Sequence, residues 1–203
     1  VRFNMLDIVE TLTSSLMLIV TASFMIVITL IFSSFKPFNK PVSKKSLLAK
    51  VIVGIFLGLL AILGTLMGTK LADGTIVNVR ELAANIAGLA GGPVGGVIAG
   101  LIGGIHRFTV GGATALPCTV STVLIGIIAG AVSTKITGKW YLLKGAALGV
   151  VLESMAMILI LILVPFTQAV AIVEKIAFPM ITANTVGLVM WLYLADKLKQ
   201  IEK

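Results

Sequence analysis

Long apolar runs separated by short polar connections make up most of this chain. Many of the runs contain ~18–24 residues, which is the length that an α-helix needs to cross the hydrocarbon of a membrane. We therefore predict an all-α, polytopic membrane bundle of six to seven segments. Five of these segments are predicted to be spans: Leu12–Phe35, Leu47–Met67, Pro117–Val132, Leu142–Val164 and Ile176–Leu194.

Two shorter apolar segments, Val77–Gly92 and Val94–Ile105, meet at Gly92-Pro93 in the middle of the chain. As a helix the second covers ~17 Å, against ~30 Å of hydrocarbon, so the pair forms either two short crossings or a re-entrant hairpin. Glycine recurs at every fourth position across the junction, at Gly88, Gly92, Gly96, Gly100 and Gly104. This stripe indicates either close packing against another helix or broken helices around a cavity.

Composition and charge agree with a membrane protein. The chain is 58% hydrophobic and 12% charged, which excludes an ordinary soluble enzyme. Its net charge of +8 is concentrated in connections, at Lys36–Lys50, Lys135–Lys144 and Lys197–Lys203. Alternating spans put these three regions on one side, which the positive-inside rule makes the cytoplasm. We expect a retained first span, an outer N-terminus, a cytoplasmic C-terminus, an inner-membrane location and no nucleic-acid partner.

Two arginines, Arg80 and Arg107, stand at the two outer ends of the paired short segments. Antiparallel helices would bring them to one level, where two guanidinium groups suit a carboxylate or a phosphate. The alternative is that each arginine extends to the lipid headgroups. Glu81 provides a further possibility, because it can neutralise one of the arginines.

The next helix is predicted to start at Pro117, shortly after Thr114, since proline favours the first position of a helix. The N–H groups at a helix start attract anions. Cys118 and Ser121 are three residues apart and share a face of this helix. As alternatives, Cys118 is a small buried hydrophobe and Ser121 bonds its own backbone.

Glu153 lies in the middle of an apolar span, where an ionisable side chain is costly and is a functional candidate. It has possible partners in the last span, Thr182, Asn184 and Thr185. A structural hydrogen bond and a ligand contact remain equally open, as they do for Asn85.

Catalytic and metal-binding patterns are missing from the sequence. GGPVGG lacks the Lys-Ser/Thr of a phosphate-binding loop, His106 is the single histidine, and the single cysteine cannot form an internal disulfide. We interpret His106 as a solvated side chain and expect no enzyme activity, no metal and no cofactor.

The central block of the chain resembles the membrane receptor domain of LytS-type sensor histidine kinases. The similarity extends from about residue 50 to residue 197. Its motifs are Asn78-Val-Arg80, Gly91-Gly92-Pro93, His106-Arg107, Gly111-Gly112 and Cys118-Thr-Val-Ser121.

This resemblance implies a receptor for a small extracellular carboxylate such as pyruvate, joined to a cytoplasmic output domain. Carried over from the family, the ligand contacts are Arg80, Arg107, Cys118 and Ser121. We add as candidates Asn78, Thr114, Glu153 and Asn184. We expect an N-terminal span and basic loop (1–46), a ligand-binding membrane domain (47–196), the start of a signalling linker (197–203) and a homodimer.

Two other functions remain open. The helical arrangement is also similar to the substrate-binding subunits of energy-coupling-factor vitamin transporters, so one alternative is a transport subunit without its own motor. The other is a membrane enzyme acting on a lipid or an isoprenoid. Because no output domain follows Lys203, we expect that domain on a continuation of the chain or on a partner.

Overall fold

Six α-helices form a membrane bundle in the computed structural model, which describes residues 5–35, 40, 42–71 and 74–201. Within this part of the chain all six are long and apolar enough to cross a membrane, so the predicted all-α bundle is confirmed. Of the lysines that bound the three basic regions, Lys36 and Lys203 lie outside the described residues. The helices are α1 (Met5–Ser33), α2 (Leu47–Leu66), α3 (Arg80–Val110), α4 (Ala115–Val132), α5 (Tyr141–Leu163) and α6 (Phe166–Ile201).

Helix α3 folds back on itself at Gly92. This residue has a φ of 68° and a ψ of −166°, a left-handed conformation that favours glycine, and Pro93 follows it. A Cβ added at Gly95 would lie 2.9 Å from the carbonyl oxygen of Ala87, and one added at Gly103 would lie 3.7 Å from Cδ of Arg80. The two arms are therefore antiparallel, and the short apolar segments form a helical hairpin. We call it the α3 hairpin.

The second arm of the α3 hairpin is longer than its sequence indicated. It runs from Pro93 to Val110, roughly 18 residues or ~27 Å of helix. The predicted segment Val94–Ile105 therefore ended five residues too early, because tertiary context overrides local helix propensity. The last helix likewise begins at Phe166 rather than Ile176 and continues through Pro179. A two-stranded hairpin, β1 (Thr69–Lys70) and β2 (Ile76–Val77), was not predicted.

The glycine stripe packs both arms of the α3 hairpin against α4. A Cβ at Gly88 would lie 2.5 Å from the backbone nitrogen of Gly130, and one at Gly100 would lie 2.8 Å from Cα of Val123. Between these positions, Gly96 is in direct backbone contact with Gly126. Packing against another helix, one of the two interpretations of the stripe, is confirmed.

The three basic regions of the chain gather at the same end of the bundle as the tip of the α3 hairpin. At the tip, Gly92 approaches Val42 in the short turn before α2, and Pro93 approaches Gly130 near the end of α4. Tyr141 at the start of α5 donates a 3.4 Å hydrogen bond to Asp196 near the end of α6. A cavity of about 620 Å³ lies among these segments. The open end of the α3 hairpin, with both arginines, faces the other way.

Candidate ligand-binding site

Two arginine side chains are completely buried at the open end of the α3 hairpin. Arg80 begins the first arm and Arg107 lies in the last turn of the second, and both side chains are 0% exposed. Both lie beside the thiol of Cys118 on α4. The hairpin therefore brings the arginines together as the sequence predicted, and the alternative in which they extend to lipid headgroups is wrong.

Arg80 is held by an acidic residue and by hydroxyl groups. Its Nη2 lies 2.5 Å from Oε1 of Glu81, so the possibility that Glu81 neutralises one arginine is confirmed. Its Nε donates a 2.7 Å hydrogen bond to the hydroxyl of Thr122, and its Nη1 donates a 3.5 Å bond to the hydroxyl of Thr65. The backbone N–H of Arg80 donates to Oδ1 of Asn78 at 3.0 Å, which forms an Asx turn directly before α3.

Arg107 has only neutral partners among the described residues. Its Nη1 donates to the carbonyl of Gly111 at 2.6 Å and its Nη2 donates to the hydroxyl of Thr114 at 2.8 Å. Its Nε is buried and has no hydrogen-bond partner in the described part of the chain. Burying a cation without an opposite charge is costly, so Arg107 is the group in this site that most needs an anion.

Helix α4 supplies the opposite wall of the site, but it starts two residues earlier than predicted. It begins at Ala115, so Pro117 occupies its third position. The hydroxyl of Thr114 bonds Arg107 and does not cap the helix, because no side-chain cap bond is formed there. Cys118 is 6% exposed, and the Ser121 hydroxyl donates to the Cys118 carbonyl at 3.0 Å.

Glu81 occupies the position that an anion would take between Arg80 and α4. Besides its contact with Arg80, its Oε1 lies 3.5 Å from the hydroxyl oxygen of Ser121 and 3.4 Å from that of Thr122, and both hydroxyls make shorter bonds to the Cys118 carbonyl, at 3.0 Å and 2.7 Å. Its Oε2 is buried without a partner among the described atoms. A carboxylate from within the chain therefore already lies between the Arg80 guanidinium and two hydroxyl groups of α4.

Asn184 ties α6 to the first turn of the α3 hairpin. Its Oδ1 accepts a 3.0 Å hydrogen bond from the backbone N–H of Leu82, and its Nδ2 donates to the carbonyl of Met180 at 3.0 Å. Neither of these bonds involves Glu153, for which Asn184 was one of three possible partners. Asn184 therefore acts here as a cap for α3, and its two polar atoms are both engaged.

Glu153 is a residue of α5, and its side chain is 2% exposed. It lies close enough to Glu81 and Arg80 to interact with the charges of both. Its Oε2 has no hydrogen-bond partner among the described residues, and the same holds for Oδ1 of Asn85. Glu153 and Asn85 therefore each have a buried polar atom without a described hydrogen-bond partner.

Two threonines of the site, Thr65 and Thr122, were missed at the sequence level. Thr122 follows Ser121 and lies four residues after Cys118, so helical spacing alone places it beside both. Thr65 stands in an apolar run and carries no such signal. His106 is half-buried with an unpartnered Nδ1, so it is less solvated than expected. The described residues contain no group of three or more histidine, cysteine or acidic side chains that could hold a metal.

Comparison with known proteins identifies the family. The family model described as "5TMR of 5TMR-LYT" matches residues 32–198, a region that contains α2 to α6 and leaves out most of α1. No solved structure gives a significant match to the chain.

Three similar proteins are sensors of bacterial two-component systems. The chain is 34% identical over 162 residues to the sensor histidine kinase BtsS of Escherichia coli K12, which covers 76% of this chain and 29% of BtsS. It is 37% identical over 123 residues to the sensor protein LytS of Bacillus anthracis, covering 57% of this chain and 20% of LytS. It is 34% identical over 145 residues to the sensor histidine kinase YpdA of E. coli K12, covering 70% of this chain and 25% of YpdA.

The aligned part spans less than a third of each of these relatives. The range matched by the family model, residues 32–198, contains the buried arginine site. The chain therefore belongs to the LytS-type five-transmembrane receptor family, as a multi-pass membrane sensor domain.

Proposed function

We propose that this domain binds a small carboxylate such as pyruvate at the open end of the α3 hairpin and relays the binding to a cytoplasmic output domain. The ligand carboxylate pairs with Arg107 and reaches Arg80. Ser121 and Cys118 line the other side, where the serine hydroxyl donates to a carboxyl or keto oxygen. Asn78 and Thr114 hold the two arginines in position, and Asn184 holds the first turn of α3.

One observation carries the proposal: Arg107 is a buried cation without an acidic partner among the described residues. Arg80 is already neutralised by Glu81, so the two arginines together leave one positive charge for a ligand. A monocarboxylate supplies one negative charge and two acceptor oxygens, which is the complement of a guanidinium. The names of the similar proteins support a role in sensing rather than in transport.

The proposal predicts that pyruvate stabilises the purified domain. At a concentration of about 100 times its Kd, a ligand of the folded state adds about 2.7 kcal/mol to the free energy of unfolding, which raises Tm by several degrees. We expect this rise with pyruvate in a thermal-shift assay. Methyl pyruvate is the matched control, because it keeps the keto group and lacks the negative charge, and it should leave Tm unchanged. Equal stabilisation by both compounds, or by neither at millimolar concentration, would remove the carboxylate from the proposal.

The output side of the receptor is proposed to be the end of the bundle where the basic regions gather. Positively charged connections are retained in the cytoplasm, and Lys44, Lys135 and Lys144 lie at the end where α6 finishes. The arginine site then opens toward the outside, and α6 leads from the site to the cytoplasmic domain. We further propose that the receptor works as a homodimer, in which two copies of α6 present paired output domains.

This topology predicts different labelling of two glutamines on α6. Gln168 lies near the outer start of the helix and Gln200 near its end, and both are exposed. In a chain with Cys118→Ser, a Gln168→Cys variant should react with a membrane-impermeant maleimide in intact cells. A Gln200→Cys variant should react only after the cells are opened. Labelling of Gln200→Cys in intact cells would reverse the orientation.

A further inference from the structure

Four charged side chains are buried in the part of the chain that the structure describes, and they lie around one site. They are Arg80, Arg107, Glu81 and Glu153. With all four ionised, two positive and two negative charges cancel. Charges in the interior of a membrane bundle are costly unless they are balanced by opposite charges. The net charge of these four side chains therefore determines whether a charged ligand can bind among them.

Among the two acidic members of this group, Glu153 is the one without a described ion pair to stabilise its ionised form. The charged groups that face it are Glu81 and Arg80 of the α3 hairpin, and Arg80 is already paired with Glu81. Helix α4 contributes the thiol of Cys118, which lies beside the arginines and Glu81, and no charged residue before Lys135. Helix α6 carries no charged residue between Lys175 and Asp196. No described hydrogen-bond donor reaches Oε2 of Glu153.

A bound monocarboxylate changes the sum of charges from zero to −1. The ligand takes the free guanidinium of Arg107, and the ionised Glu153 is then an excess negative charge beside Glu81. One proton on Glu153 restores the balance and turns its unpartnered oxygen into a hydroxyl donor. Glu81, which lies close enough to Glu153 to interact with its charge, has a buried acceptor without a described partner, Oε2.

Resting on the proposed function, we propose that Glu153 is a proton-binding site coupled to the ligand, so that each carboxylate binds together with a proton on this side chain. The fraction of receptor with bound ligand therefore depends on the product of the carboxylate and proton concentrations. A small carboxylic acid stays ionised above about pH 5, so any pH dependence above that value belongs to the protein.

The sign of the effect follows from linkage. The ligand-bound form holds the proton more tightly than the free form, so affinity is highest at low pH and falls as Glu153 of the free protein ionises. Where that ionisation is complete, affinity should fall about tenfold for each pH unit.

The test is titration calorimetry of the domain in lipid nanodiscs with pyruvate as the probe, between pH 6 and pH 9. Repeating each titration in buffers of different ionisation enthalpy measures the protons taken up per ligand bound. For the wild type we expect uptake that rises toward one proton at the alkaline end, together with the loss of affinity. Glu153→Gln mimics the protonated side chain, so it should take up no proton and bind with a pH-independent affinity. Glu174→Gln removes an exposed carboxyl group from neighbouring α6 and should keep the wild-type profile.

The outcomes separate this inference from the proposed function. If the wild type binds pyruvate without taking up a proton at any pH, the inference is overturned while the proposed function stands. If Glu153→Gln keeps the wild-type pH profile, another group binds the proton and the inference is again overturned. Failure of a folded Glu153→Gln variant to bind at pH 6 also contradicts it, because the neutral side chain should suffice. If the wild type binds no pyruvate, both proposals fail.

Discussion

Replacing Gly96 with leucine should prevent the α3 hairpin from packing against α4. The backbones of Gly96 and Gly126 are in direct contact, so even a methyl group at Gly96 would overlap the main chain of α4. Overpacking a core costs typically 1–3 kcal/mol when side chains can adjust, and backbone cannot adjust without separating the helices. We expect Gly96→Leu to lose most of the folded protein, and Gly100→Leu, which faces Val123, to do the same.

Detergent extraction followed by size-exclusion chromatography measures this effect as the yield of monodisperse protein. Ala147→Leu is the control, since it adds a similar apolar bulk at an exposed position of α5. This variant should behave as the wild type does. A Gly96→Leu protein that extracts normally and keeps its Tm would mean that α3 and α4 are further apart than the structure has them.

Replacing Arg107 with alanine should weaken carboxylate binding more than any other single change in the site. A hydrogen bond to a charged group contributes about 1.5–3 kcal/mol, which corresponds to a loss of roughly 10- to 150-fold in affinity. The upper end is expected, because the ligand carboxylate would remain buried and only partly paired. Arg107→Lys should restore part of the affinity relative to Arg107→Ala. The lysine ammonium keeps the positive charge, but it cannot donate two parallel hydrogen bonds to a carboxylate as a guanidinium does.

The other variants of the site give graded comparisons with Arg107→Ala. Arg80→Ala leaves Glu81 buried without its cation, so a loss of about 3–5 kcal/mol in folding stability should accompany its loss of binding. Ser121→Ala removes a neutral hydrogen bond and should cost only about 0.5–1.5 kcal/mol of binding. Calorimetry with pyruvate, after a check of folding by size exclusion, measures the series. Unchanged affinity in a folded Arg107→Ala variant would take this arginine out of the site.

The architecture was accessible from the sequence because membrane spans follow from simple physical limits. Apolar length identified the helices, and the clustering of lysines predicted correctly which ends lie together. The fourfold glycine spacing indicated a close helix contact, which the packing of Gly88, Gly96 and Gly100 against α4 confirms. Each of these signals depends on composition along one helix and needs no knowledge of its neighbours.

The details of the site depend on contacts between distant parts of the chain, and these were less accessible. The pairing of Glu81 with Arg80 was only one possibility, because neighbouring residues on a helix do not generally face each other. Asn184 was one of three possible partners of Glu153, and its bond to Leu82 could not be foreseen from the sequence. The start of α4 was misplaced because Pro117 is also tolerated later in a first turn, where one backbone N–H has no helical partner anyway.

The bond between Asn184 and Leu82 has a mechanical consequence. It joins positions 102 residues apart and fixes the middle of α6 to the first turn of α3, two residues from Arg80. In the proposed function, a carboxylate that moves Arg80 also moves that turn, and the Asn184 bond passes the movement on to α6. Since α6 continues unbroken to Ile201, a displacement of a fraction of an ångström at the arginines becomes a tilt or rotation of its far end, where Asp196 meets Tyr141. The amide of Asn184 thus couples the proposed binding site to α6, which extends from Asn184 toward the end of the bundle that we propose to be cytoplasmic.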